Sequence, residues 1–188
     1  MTKIGITGSI ASGKSTVVKF LSGNKYPVFS ADKVVKKLYQ NKNFAFKIKK
    51  KFNLKNSKNL KNKIKNHISK DKNTIRKLEL LIHPQVRKKM KLFMIRNRKK
   101  KILIFEIPLL IESKLNKYFD LVLFVGAKKT IRLKRFLSSG GSKKIFTILE
   151  KRQSKPKKKI SMSDHVIYNN NSIKVLKKNV KVFLKRYV

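Results

Sequence analysis

The chain has 188 residues, with 51 Lys and Arg against eight Asp and Glu, and a formal charge of +43. That length suits one domain around one core, and the absence of cysteine excludes a disulfide framework or a thiolate metal site. No apolar run nears the roughly 20 residues of a membrane span, and residues 1–10 lack the basic start and apolar stretch of a signal peptide, so a soluble cytoplasmic protein with no membrane partner is expected.

Residues 3–7 read as a short buried strand, followed by the glycine-spaced stretch GSIASGKST from Gly8 to Thr16. Residues 14–21 have helical spacing, with Val17, Val18, Phe20 and Leu21 apolar, and Gly23-Asn24 is a stop signal. A second strand is expected over 26–29, ended by Ser30-Ala31-Asp32, with a helix continuing through Val34, Val35 and Leu38. Residues 42–72 hold twelve lysines and one acid, Asp71; the spacing of Phe44, Ile48 and Phe52 predicts a solvated helical insertion. Residues 74–93 predict a longer helix, interrupted or kinked at His83-Pro84 because proline lacks the N–H of the helical ladder.

Residues 102–107 (ILIFEI) are apolar on both faces, as parallel strands are. Strands follow at 121–125 and 164–168. Between them, residues 136–153 predict helix, glycine break, helix, and residues 172–184 a terminal amphipathic helix. Five strands separated by helical stretches imply right-handed crossovers and a parallel sheet.

Gly8-x-x-x-x-Gly13-Lys14-Ser15 matches the Walker A pattern between a strand and a helix. Glycines let the backbone of Gly8, Ser9, Ile10, Ala11, Ser12 and Gly13 wrap phosphate oxygens with N–H groups. The helix that starts near Gly13 adds its positive end. Lys14 offers a mobile charge to β and γ phosphates, and the Ser15 hydroxyl is a hard ligand for Mg²⁺. The loop implies a nucleoside triphosphate and Mg²⁺ but leaves the phosphoryl acceptor open, water or a hydroxyl.

Asp32 falls past the second strand, at the sheet edge where open α/β folds place their sites. A carboxylate there suits orienting an acceptor hydroxyl; equally, Asp32 suits an N-cap of the following helix. The charge also has two readings. A basic surface is the footprint of a nucleic-acid binder, but 43 of the basic residues are Lys and eight are Arg, spread along the whole chain. Arg is the better base and phosphate reader, so compositional drift is preferred, with no specific nucleic-acid partner.

Several separate stretches resemble the dephospho-coenzyme A kinase family: ITGSIASGKST; VFSADKVVKKLY, with Ser30 where the family usually has a first Asp; LELLIHPQVRKKM; and ILIFEIPLLIES, through Pro108, Leu109, Leu110 and Glu112. Gln153, Lys159, Asp164 and Asn169 fall at the offsets of its closing pattern. The resemblance implies a P-loop kinase-like three-layer α/β/α fold with a parallel five-stranded sheet. It also implies a helical acceptor-binding insertion near 38–95, a lid near 130–156, and ATP-dependent phosphorylation of the ribose 3′-hydroxyl of dephospho-coenzyme A. By the same resemblance Asp32 is the base or orienter, and His83, Arg87, Pro108 and Leu109 belong to the acceptor side. Arg132, Arg135 and Asn169, with Thr16 and the rest of the loop, would serve ATP; the alternative for each arginine is a solvated lysine-rich face, and for Asn169 the choice is between an adenine pocket and a plain turn. Ser138-Ser139 stand where the family often has a further lid arginine, with Lys143 or Arg152 as substitutes. Glu106 reads as a Walker B-type acid near Mg²⁺ or as a partner for a lysine, and Glu112 as a cap or salt-bridge acid. A monomer is expected. Two other readings stay open at this point, another P-loop nucleoside or nucleotide kinase and an ATP-switched nucleic-acid binder.

Overall fold

The computed structural model describes residues 1–54, 60, 63, 64, 67 and 73–187. The expected insertion over 42–72 is therefore seen in part, and its remaining positions, Asp71 among them, lie outside the described residues. The chain divides into two compact units, Met1–Ser30 with Asn97–Val188, and Ala31–Arg96.

The first unit carries a five-stranded, all-parallel sheet in the order β2-β3-β1-β4-β5. Its strands are β1 (Thr2–Gly8), β2 (Val28–Ser30), β3 (Ile102–Glu106), β4 (Leu121–Gly126) and β5 (His165–Tyr168). β2 is shorter than the sequence suggests and starts two residues later. β3, apolar except for its last residue Glu106, is buried at every position, as a strand with neighbours on both edges and layers on both faces must be.

Alternation along β1 sorts the two faces. Ile4 and Ile6 join Ile102, Ile104, Leu123, Val125 and Ile167 on one face. There they meet Val17, Val18 and Leu21 of α1 (Lys14–Ser22) and Leu176, Val180 and Phe183 of the terminal helix (Ile173–Tyr187). Each of these side chains contributes on the order of 1.5–3 kcal/mol by leaving water. On the other face Gly5 admits Leu110 and Phe119, whose side chains lie where a Cβ would stand. This is the α/β three-layer architecture that the sequence predicts.

α1 ends where the sequence says, with Gly23 left-handed at φ 48°. The region after β4 forms α5 (Lys129–Ser138) and α6 (Lys143–Arg152), broken at Gly140. α5 starts seven residues before the expected helix at 136. A short helix α7 (Pro156–Ser161), with proline in its first turn, was not expected.

The second unit contains α2 (Ala31–Gln40), α3 (Lys42–Lys51) and α4 (Asn73–Arg96), with α2 packed on both of the others. It starts seven residues before the insertion expected from position 38. Asn41 caps α3, its Oδ1 accepting from Phe44 N–H at 2.9 Å. The interruption expected at His83-Pro84 does not occur: α4 runs unbroken through Pro84. Leu78, Ile82, Val86 and Met90 form one buried stripe that holds the helix on both sides of the proline. Pro84 itself is exposed, as is Leu80 one turn before it, so the carbonyl deprived of a donor lies on the solvent face.

Candidate active site

The stretch Gly8–Thr16 leaves the C-terminal end of β1 and turns into α1. A Cβ on Gly8 would run into the Val125 carbonyl oxygen of β4. Gly13, at φ 92°, is the left-handed residue before α1, and a Cβ there would strike Asn169 Nδ2. Ala11 is also left-handed, at φ 55°. These values wind the loop into the concave amide-lined shape that receives anions. The first turn of α1 carries no acid to neutralise its positive end.

Lys14 is buried, and its Nζ donates to the carbonyls of Ser9 (2.9 Å) and Gly8 (3.3 Å), lying across the loop. Thr16 and Val17 donate their amides to Gly13 O, closing the first helical turn. Ser15 Oγ donates to Glu106 Oε1 at 2.5 Å. Glu106 is buried at the end of β3, so of the two open readings its partner is the loop's serine rather than a lysine. Ser12 Oγ is buried with no hydrogen-bond partner among the described residues.

The loop backbone is held from outside by residues distant in sequence. Asn169 Nδ2 donates to Ser12 O at 2.9 Å. Arg135 donates to Asn169 O (3.1 Å), to Asn169 Oδ1 (3.4 Å) and to Ser12 O (3.5 Å). Arg132 is buried, donating to Ala127 O (3.0 Å), to Ile10 O (3.5 Å) and to Glu150 Oε1 (2.6 Å), with its guanidinium over Phe146. Burial works against the Glu150 charge, but hydrogen bonds from Lys129 and Arg132 overcome it and hold the carboxyl below its ordinary range. The sequence reading offered each arginine a solvated surface as the alternative to ATP; for Arg132 that alternative fails. Asn169 braces the loop through its bond to Ser12 O.

Gln153 Oε1 accepts from Ile10 N–H at 2.9 Å. The turn after β3 is tied to the same region. Pro108 O accepts from Thr7 Oγ1 (3.1 Å) and Lys159 Nζ (3.2 Å), and Leu109 O accepts from Ser113 N–H (2.9 Å). Lys159 is fully buried and pairs with Glu112 at 2.9 Å, the salt-bridge role read for that acid. Burial pushes the Lys159 ammonium below its ordinary range, against the pull of Glu112. Lys143 and Arg152, the two lid substitutes, are exposed at the ends of α6.

In the second unit, Asp32 is the second residue of α2 rather than the residue before it, so it sits inside the first turn and is not the N-cap. An acid there still favours the helix through its dipole. His83 and Arg87 lie one turn apart on α4. Burial lowers the His83 pKa, with Glu79 raising it and Arg87 lowering it further.

The comparisons with known proteins agree with one another. The family model described as dephospho-CoA kinase matches residues 2–175. The dephospho-CoA kinase of Bartonella henselae is 34% identical over 190 residues, covering 98% of this chain and 97% of its own. That of Fusobacterium nucleatum is 32% identical over 188 residues, covering 96% and 95%. A solved dephospho-CoA kinase from Campylobacter jejuni superposes with a TM-score of 0.70 at 26% identity, covering 98% and 96% of the two chains.

Proposed function

The chain belongs to the dephospho-CoA kinase family, and from that premise we propose that it transfers the γ-phosphoryl group of ATP to the ribose 3′-hydroxyl of dephospho-coenzyme A, releasing ADP and coenzyme A in the cytoplasm. The observation that carries the reading is the bond from Ser15 Oγ to Glu106 Oε1. It joins a Walker A hydroxyl to a strand-end carboxylate, the pairing that magnesium-dependent phosphoryl transfer uses in P-loop proteins.

The donor set fits Mg²⁺. Ser15 and Glu106 supply hard oxygens, and Ser12 Oγ is a buried hydroxyl without a partner among the described residues. Among the described residues no cluster of three or more acids or histidines exists, which suits an ion held by one or two protein oxygens, water and substrate phosphates. When bound, the ion neutralises charge on the β and γ phosphates.

Every other part of the work falls to the chain. The amides of the loop and the start of α1 orient the triphosphate. Lys14 exchanges the Gly8 and Ser9 carbonyls for phosphate oxygens and offsets negative charge as the bond from the γ phosphorus to the ADP oxygen breaks. The acceptor oxygen forms the new bond to phosphorus. Its proton passes to the Asp32 carboxylate, which serves mainly to orient the hydroxyl while the transition state is loose. Arg132 and Arg135 act on the loop backbone, while His83, Arg87, Pro108 and Leu109 serve the acceptor. Residues about 130–156 act as the lid, which excludes water and so favours the alcohol over hydrolysis. A monomer suffices for this chemistry.

Phosphoryl transfer from ATP to dephospho-coenzyme A, AMP, CMP and thymidine tests the reading. Transfer to dephospho-coenzyme A alone is expected; transfer only to a nucleoside or nucleotide would overturn it.

A further inference from the structure

The connection between α6 and α7 touches two functional segments at once. Gln153 takes the Ile10 amide of the anion loop. The next residue, Ser154, donates its amide to Glu112 Oε1 at 2.8 Å. That same oxygen receives Lys159 Nζ at 2.9 Å, and Lys159 Nζ also reaches Pro108 O at 3.2 Å. Pro108 O in turn accepts from Thr7 Oγ1, one residue before the loop begins. The contacts therefore close a circuit: loop, Gln153-Ser154, Glu112–Lys159, Pro108, Thr7, loop.

Two features make this circuit more than packing. Lys159 is fully buried and Thr7 is fully buried, so neither can trade its partner for water. Glu112 Oε1 is shared by two donors, so losing its charge weakens both contacts together. Removing either end leaves a buried group unsatisfied, which costs more than the bond itself contributes.

We propose that Gln153, Glu112 and Lys159 are positioning residues that set the conformation of the anion loop from the turn after β3, so that ATP affinity depends on a carboxylate in that turn. The proposal rests on the nucleotide-binding reading of the loop but not on the identity of the acceptor. Gln153 fixes the Ile10 amide direction, and the buried pair fixes Ser154 and so Gln153. Nothing in this scheme requires Glu112 or Lys159 to touch a substrate.

The test is ATP binding to the full chain by titration calorimetry without any acceptor, with wild type, Gln153→Leu, Gln153→Glu, Glu112→Gln and the double variant Gln153→Leu with Glu112→Gln. Wild-type binding confirms the loop's role before the variants are compared. Gln153→Leu should weaken ATP binding about tenfold, the effect of one unsatisfied part-buried amide, and Glu112→Gln about as much, because the charge that holds both of its donors is lost. The double variant should weaken it little further, because both act through one contact. Gln153→Glu keeps an acceptor for Ile10 N–H and should bind more tightly than Gln153→Leu. Thermal melting of each variant confirms that it is folded at the titration temperature. If folded Glu112→Gln binds ATP as wild type does, or if the two losses multiply, the linkage is wrong. If wild type itself fails to bind ATP, it is the nucleotide reading that falls.

Discussion

Gly13 and Asn169 occupy each other's space: the amide nitrogen of Asn169 stands where a Cβ of residue 13 would be, and from there donates to Ser12 O at 2.9 Å. The second glycine of the loop is thus required twice, by its φ of 92° and by a side chain arriving from just beyond β5.

Gly13→Ala should therefore weaken ATP binding and lower the melting temperature. The left-handed backbone alone costs alanine about 1 kcal/mol or more, and displacing Asn169 breaks its bond to Ser12 O. Adding Asn169→Ala should recover part of the melting temperature, because the clash disappears while the backbone strain stays. Calorimetric melts of the single and double variants decide this; no recovery would mean that the clash is relieved elsewhere.

The Ser15–Glu106 pair makes a prediction about magnesium. Glu106→Gln keeps the shape of the side chain and its acceptor oxygen for Ser15, but loses the charge. Activity should fall by on the order of tenfold or more, and the Mg²⁺ concentration for half-maximal rate should rise, with ATP binding in the absence of metal little changed. Lys14→Ala should instead nearly abolish transfer at every Mg²⁺ concentration. A Glu106→Gln variant with an unaltered Mg²⁺ requirement would remove the carboxylate from the metal's surroundings.

Asp32→Asn separates chemistry from structure. As the second residue of α2 it contributes to the helix dipole, worth only about 0.3–1 kcal/mol. A role in orienting the acceptor predicts a loss in kcat of about a hundredfold or more, with KM for ATP within a few fold of wild type. Equal losses in kcat and ATP affinity, with a lowered melting temperature, would reduce Asp32 to a structural acid.

What could be read beforehand follows from how local each signal is. The anion loop was legible because the spacing of Gly8, Gly13, Lys14 and Ser15 is short and its context is one strand and one helix. The sheet was legible because ILIFE can hardly be anything but a buried strand. The bracing of the loop was not: Gln153 meets Ile10 across 143 positions and Asn169 meets Ser12 across 157, and no periodicity encodes such pairs. Lys159 stands at the offset of the closing pattern, but its burial and its pairing with Glu112 are hidden because it is one of 43 lysines. A scarcity argument would have helped with the acids. Glu106, Glu112, Asp120, Glu150 and Asp164 each receive a specific donor: Ser15, Lys159, Lys3, Arg132 and the Val122 amide. In a chain this basic, an acid that persists marks a place where the fold needs one. Pro84 starts no new helix, contrary to one of the two expectations for it, because the buried stripe along α4 continues on both sides of it.

Stability should fall as the solution is acidified, in two stages. His165 packs tilted against Phe183 and edge-on to Tyr187, at 5.2 and 5.6 Å between ring centres, and burial, then Arg186, lowers its pKa below the ordinary 6.5. A lowered histidine pKa means that the unfolded chain binds the proton first, so stability declines as pH drops through 6.5 and stops declining below the folded value. His83 adds to the same window with the same sign. Glu150 acts later: its pKa is below 4.5 in the fold, so its contribution is complete above 4.5 and is lost as pH falls through the folded value. Melting temperatures from pH 8 to about 2 should show both stages, and His165→Phe, which keeps a ring against Phe183, should flatten the first. A first stage of undiminished size in His165→Phe would assign it to His83 or to the general repulsion among cations.

That general repulsion also bears on what the chain binds besides substrates. With +43 formal charge, it should associate with RNA or duplex DNA at low salt whether or not it has a nucleic-acid function. The two cases differ in salt dependence and in sequence dependence. Lysines attracted only to phosphate release counterions, so affinity falls steeply with salt and is alike for all sequences. Fluorescence anisotropy with several unrelated oligonucleotides should therefore show binding at about 0.05 M salt that collapses by about 0.2 M, with no preferred sequence. ATP should compete only weakly, since it occupies the loop while the polyanion is held by dispersed lysines. One oligonucleotide retained at 0.2 M salt while the others dissociate would show that part of the lysine excess forms a specific site, and would revive the nucleic-acid reading that the scarcity of arginine argues against.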